Sequence, residues 1–178
     1  MANKDNGCRM RFNFAEAQTE AIPFDFRKTT WGMSRSQVKL AESRYPLSEN
    51  ETHITYTDQF MKLQTTIGFH FIEDSLVEAG YAFHEFCLDL ESYVSKYEEI
   101  KLELSLRYGL PIIDKEVGLS CGNDSCCYIK ADNKMFVAEW KTLRSIIRLL
   151  LVSDKISTEI GILHISRKQE INLNISVN

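Results

Sequence analysis

The sequence predicts an α+β protein, a mostly antiparallel sheet with two main helices packed on it. Three observations carry that expectation. The string Met33-Ser34-Arg35-Ser36-Gln37-Val38 is a helix-start signal. Apolar residues from Leu90 to Leu104 recur at three- and four-residue spacing, the stripe of a second, longer helix. Between and after them, apolar and polar residues alternate in run after run, as half-buried strands require. The order helix, meander, helix, meander divides residues 23–178 into candidate halves, 23–88 and 89–178, of one continuous unit.

In chain order, residues 1–22 are polar, mixed in charge and without clean periodicity, which fits a loosely ordered arm with a short helical piece over 14–19. Pro23 leads into Phe24 and Phe26, read as two aromatics on one face of a short strand. Trp31-Gly32 makes a tight turn, with Gly32 supplying a positive φ. Ser34 caps the first helix, Gln37 completes a capping box, and Met33 against Val38 forms the hydrophobic staple. The helix runs to about residue 43 with Val38, Ala41 and Leu40 inward, and Pro46 ends it.

Strands follow over 53–57, 61–71 and 76–83. In the second, Met61, Leu63, Thr65, Ile67, Phe69 and Phe71 share a face; in the third, Val77, Ala79, Tyr81 and Phe83 do. Glu73-Asp74-Ser75 turns between them. A one-residue slip would invert every side chain, so the faces set the register. Phe71 meets Val77, Phe69 meets Ala79, Ile67 meets Tyr81 and Thr65 meets Phe83. The opposite face then sets His70 across from Glu78 and Gly68 across from Gly80, a bare spot open to close approach.

The long helix spans 90–108, with Asp89 as N-cap and Gly109 and Pro111 as its stop. Lys96, Glu98, Glu99, Lys101 and Glu103 form its solvated side. Residues 112–124 read as a loop. Strands are expected over 126–131 and 135–140, paired through a hairpin turn at Asp132-Asn133, and over 143–153 and 155–166. A half-buried final strand over 171–177 is a candidate dimer contact.

The totals exclude more than they select. A chain of 178 residues buries about 70% of its unfolded surface and needs no staples. A net charge of −4, from 21 basic and 25 acidic residues, argues against a nucleic-acid backbone or an anionic lipid surface as partner. No apolar run approaches the ~20 residues of a membrane span, and Arg148 interrupts the longest. The N-terminus has no apolar core after Lys4, so it does not read as a signal peptide. The expected compartment is the cytoplasm, unless a leader precedes this sequence. Cys8, Cys87, Cys121, Cys126 and Cys127 are then free thiols.

The pattern Phe26-Arg27-x-Thr29-x-Trp31-Gly32-Met33-Ser34-x-x-Gln37-Val38 resembles the opening of a family of uncharacterised bacterial proteins. In that family a strand pair like 67–83, a helix ending like Tyr108-Gly109-Leu110-Pro111 and a segment like Trp140-Lys141-Thr142 follow in this order. The resemblance spans about residues 24–166 and implies no activity. The Gly32-Met33-Ser34-x-x-Gln37-Val38 string is also similar to the helix start of envelope domains of the outer-membrane assembly lipoprotein and β-lactamase-inhibitor-protein type. Those are helix-then-sheet units that bind other proteins.

No catalytic, metal or cofactor motif is present. Cys121, Cys126 and Cys127 lack the paired spacing of a zinc site, and redox chemistry in their loop is the alternative. His70 beside Glu78 has no nucleophile near it. Glycine-rich phosphate loops are absent. Arg144 and Arg148, read as alternating on one strand face near Lys141, are candidates for an anionic ligand. Trp31 and Trp140 read as core plugs. The candidate surface is therefore His70, Glu78, Gly68, Gly80, Arg144 and Arg148, with no cofactor. Three functions stay open: a non-enzymatic protein-binding or adaptor domain, a small-molecule or peptide pocket between sheet and helices, and an enzyme without a recognisable motif.

Overall fold

Ser34 starts the first helix as its sequence requires. Its Oγ accepts from the Gln37 amide and the Gln37 side chain returns a bond to the Ser34 amide, so both halves of the capping box form around α1, Arg35–Glu42. Met33 and Val38 pack in one cluster, and Gly32 takes φ +89°. The computed structural model describes residues 24–84, 90–118, 134–153 and 157–168.

After α1 come β1 (Ser48–Glu49), β2 (His53–Phe60), β3 (Leu63–Ile72) and β4 (Ser75–Phe83). Then follow α2 (Leu90–Tyr108), β5 (Ile113–Gly118), β6 (Lys134–Lys141), β7 (Ser145–Ser153) and β8 (Thr158–Ser166). All eight strands join one antiparallel sheet in the order β1-β2-β3-β4-β8-β7-β6-β5. Each helix thus precedes a four-stranded meander, and the last strands of the two meanders pair at the centre.

That central pairing relates the meanders by a pseudo-twofold. Tyr81 faces Ile162, Gly80 faces Leu163 and Ala82 faces Gly161. Exchanging the strands about the Tyr81–Ile162 pair lays Glu78-Ala79-Gly80-Tyr81 over Glu159-Ile160-Gly161-Ile162. A Glu-x-Gly repeat, invisible along the chain, appears once the register is known.

One row of paired residues places the core. Tyr56, Ile67, Tyr81, Ile162, Leu149 and Ala138 face each other in turn across six strands. Paired residues share a face of the sheet. Val38 of α1 packs with Ile54, Tyr56, Ile67 and Phe69. Tyr93, Tyr97, Ile100 and Leu104 of α2 pack with Trp140, Ile147, Leu149, Leu151 and Ile162. Both helices therefore lie on the same face. Trp140 is 1% exposed, as a core plug should be. Trp31 is half-buried and its Nε1 donates to Ser145 Oγ at 3.0 Å.

Several expectations are corrected. Phe24 and Phe26 do not share a strand face: Phe26 bridges Thr29 across a tight turn, Arg27 takes φ +53°, and Phe24 is left exposed. Leu40 points to solvent, while Glu42 is buried in its place by two arginines. Met61 leaves the covered face because Met61-Lys62, both with positive φ, form the β2–β3 turn. The β3–β4 register holds from Thr65–Phe83 to His70–Glu78, but a bulge between His70 and Phe71 pairs Phe71 with Leu76 rather than Val77. Leu76 and Val77 are both buried as a result.

Residues 113–118 are not loop. They form edge strand β5, which supplies the partner of β6 that had been expected from 126–131. Arg144 precedes β7 instead of lying in it. The arm over 1–22, Asp89, the strands over 126–131 and 171–177, and all five cysteines lie outside the described residues.

Candidate functional site

Among the described residues, the second face of the sheet carries no helix. Its central rows follow from the register. One runs Thr55, Gly68, Gly80, Leu163, Arg148, Glu139; the next runs Thr57, Thr66, Ala82, Gly161, Leu150, Val137. Flanking rows bring His53, His70, Glu78 and Ile165 to one side and Glu159, Val152 and Met135 to the other. The β2–β4 half of this face is thus small and polar, whereas the β6–β8 half is aliphatic. Leu150, Leu163 and Ile165 are half-buried there and Val152 is exposed.

Where the halves meet, the glycines leave a trench of about 410 Å³. Gly68, Gly80, Gly161 and Ala82 floor it, Leu150, Val152 and Leu163 line one side, and His70, Glu78 and Glu159 also border it. Two of the floor glycines differ in kind. A Cβ on Gly80 would sit 2.3 Å from the Ile162 carbonyl oxygen, so the β4–β8 backbone pairing itself requires glycine. A Cβ on Gly68 would meet nothing within 4 Å. Glycine in a strand interior costs roughly 0.5–1 kcal/mol against alanine, and at Gly68 packing offers no compensation. Gly80→Ala is therefore expected to destabilise by about 1–3 kcal/mol through overpacking, while Gly68→Ala stays neutral or gains a few tenths. Thermal unfolding of both variants checks this, and a larger loss at Gly68 would refute it.

The predicted site residues separate into two places. His70, Glu78, Gly68 and Gly80 converge on the trench. Opposed in the register, His70 and Glu78 make no hydrogen bond; His70 instead stacks on His53 with ring centres 4.5 Å apart and planes 9° apart. Arg148 lies on the same face two strands from Gly80, and its Nε donates to Glu139 at 2.6 Å. Arg144 is elsewhere, bonded to Asp25 at 2.7 Å. Each guanidinium thus already holds a carboxylate.

A smaller cleft of about 300 Å³ lies on the helix side, at the junction of the halves. Phe24, Tyr81, Arg107, Tyr108 and His164 line it. His164 escaped notice in the sequence because it occupies an ordinary inward position in an alternating strand. It is 6% exposed and its Nδ1 has no partner; a hydrogen bond from the ring to the Asp25 backbone works against the effect of burial. Burial pushes the imidazole down to about 4 from an ordinary 6.5.

The folded state therefore binds this proton less tightly than the unfolded chain. Its contribution is complete above pH 6.5 and is lost as pH falls towards 4, with a slope of at most about 1.4 kcal/mol per pH unit. In urea titrations across that window, His164→Phe is expected to lose this component of the slope. Equal slopes in both proteins would refute the assignment.

Fold and site define an α+β protein whose two helices cover one side of an eight-stranded antiparallel sheet. Compared with protein-family models, curated proteins and solved structures, the chain matches none. Among the described residues no helix is long and apolar enough to cross a membrane, and no group of three or more His, Cys, Asp or Glu side chains is placed to hold a metal ion.

Proposed function

We propose that this protein is a non-enzymatic protein-binding module that takes up a partner segment on the helix-free face of its sheet. One observation carries the proposal. Both described helices pack on the same face, so the aliphatic side chains of β6–β8 stand beside a glycine-floored trench that no helix among the described residues covers. Gly68, where a Cβ would meet nothing within 4 Å, leaves room for another backbone to come close, and a rimmed apolar patch marks an interaction surface. The likeness of the α1 start to envelope domains that bind proteins points the same way.

The test is peptide display against the purified protein, with Gly68→Leu and Val152→Lys as counter-targets. Enriched sequences should bind the native protein and lose about tenfold or more in affinity on either variant, as substitutions at an interface centre do. Enrichment that ignores both substitutions would overturn the proposal.

A second reading rests on the helix-side cleft. Its aromatic walls, Arg107 at its edge and the unpartnered Nδ1 of His164 suit a small planar ligand between sheet and helices. A dye-displacement screen that His164→Phe abolishes would favour it.

A further inference from the structure

Glu78 and Glu159 border the trench, and neither has an ion-pair or hydrogen-bond partner among the described residues. Most of the other described carboxylates are engaged. Glu42 and Asp58 hold Arg27 and Arg44, Glu49 holds Arg35 and Lys39, and Glu139 holds Arg148. Among the described residues no lysine or arginine lines the trench. It is thus a largely apolar, glycine-floored surface with a carboxylate at two points and, among the described residues, no cation paired with either.

The two carboxylates are equivalent under the pseudo-twofold, and the register fixes their spacing. Glu78 stands opposite Ile165 on β8, and Glu159 lies six residues further along that strand, the same distance in strand rise. At about 3.3 Å per residue the two positions are roughly 20 Å apart along the sheet. Between them lie just two rows, one floored by Gly68 and Gly80 and the other by Ala82 and Gly161.

An extended peptide laid along β4 and β8 repeats at the same rise and turns every second side chain towards the sheet. We infer that the partner of this face is an extended segment of the pattern basic-x-apolar-x-apolar-x-basic. Its two basic side chains meet Glu78 and Glu159, and its two apolar side chains fill the glycine rows. The inference rests on the proposed use of the helix-free face and adds the chemistry and spacing of what binds there. Charge complementarity of this kind selects partners more than it adds affinity.

The experiment is calorimetric titration of the full chain with four synthetic peptides. The first is Lys-Thr-Val-Thr-Leu-Thr-Lys, blocked at both ends. The second carries Glu at both end positions, the third Gln at both, and the fourth has its lysines moved to positions one and five. The first should bind about tenfold tighter than the Glu-ended peptide, since each exposed pair contributes a few-fold and each reversal repels. The Gln-ended and respaced peptides should fall between. Affinity for the first should weaken as salt rises. Glu78→Gln and Glu159→Gln should each cost it about threefold and leave the Gln-ended peptide unaffected.

If Gln-ended and Lys-ended peptides bind equally, and both are lost on Gly68→Leu, the face binds peptides but the charge pattern is wrong. If the respaced peptide binds as tightly as the first, the spacing is wrong. Should none of the four bind, or all be indifferent to Gly68→Leu, both the inference and the proposed use of the face fall.

Discussion

Glu42→Ala is expected to lower stability by about 3–5 kcal/mol, the range for removing one partner of a buried ion pair. In a chain of this size that shifts the unfolding midpoint by about 10 °C. Glu42 is the last residue of α1, and its side chain is only 2% exposed. Its carboxylate accepts from Arg27 at 2.9 Å and from Arg44 at 3.0 Å, and Asp58 joins both arginines at 2.8 and 3.0 Å. Burial works against the Arg27 charge, but bonds to Glu42 and to Tyr81 more than restore it and raise its pKa.

Without Glu42, two guanidinium groups would crowd one carboxylate at the seam between the N-terminal turn, α1 and β2. Glu42→Gln keeps the shape and part of the hydrogen bonding, and should cost less. Glu49→Ala breaks an exposed, solvent-screened pair with Arg35 and Lys39 and should leave stability nearly unchanged. Urea denaturation of the three variants decides the matter. A loss at Glu42→Ala no larger than at Glu49→Ala would show that the cluster does not hold the seam.

Trp140→Ala should be equally severe, about 3–5 kcal/mol. The indole is 1% exposed inside the cluster that joins α2 to β6, β7 and β8. Its Nε1 donates to the Gly109 carbonyl at 2.9 Å, just past the last turn of α2, where helix carbonyls lack intrahelical donors. Alanine would open a cavity and strand that carbonyl together. Trp140→Phe keeps most of the ring volume and loses the bond, so it should cost about 1–2 kcal/mol. Chemical denaturation with near-ultraviolet circular dichroism separates the two terms. Equal losses in both variants would assign the effect to the hydrogen bond, and a loss below about 1.5 kcal/mol at Trp140→Ala would refute its role as a core anchor.

Both sites show what sequence could and could not foresee. Trp140 was legible as a plug, because a Trp at an inward position of an apolar strand has few other places to go. Glu42 was not. Apolar periodicity assigned that side of α1 to Leu40 and Ala41, and nothing in the chain order reveals that Arg27 and Asp58, about fifteen residues to either side, converge there with Arg44. The candidate surface divided along the same line. His70–Glu78 and Gly68–Gly80 were readable because a hairpin register depends on residues only a few positions apart. Their neighbours across β8, Glu159, Gly161 and Leu163, come from eighty residues away.

By itself the sequence determined the local structure of this protein. It set the cap and staple of α1, the extent of α2 from Leu90 to Tyr108, the positive φ at Gly32, most of the β3–β4 register and the helix-meander order. These follow from the preferences of neighbouring residues and from side-chain period. Tertiary structure alone decided which strands meet at the centre, that both helices choose one face, and that β5 rather than a later segment pairs with β6. Only there did the Glu-x-Gly strings of β4 and β8 come to lie antiparallel around one trench. Pairing between distant strands depends on burying two apolar surfaces against each other, and the period of either strand alone carries no record of its partner.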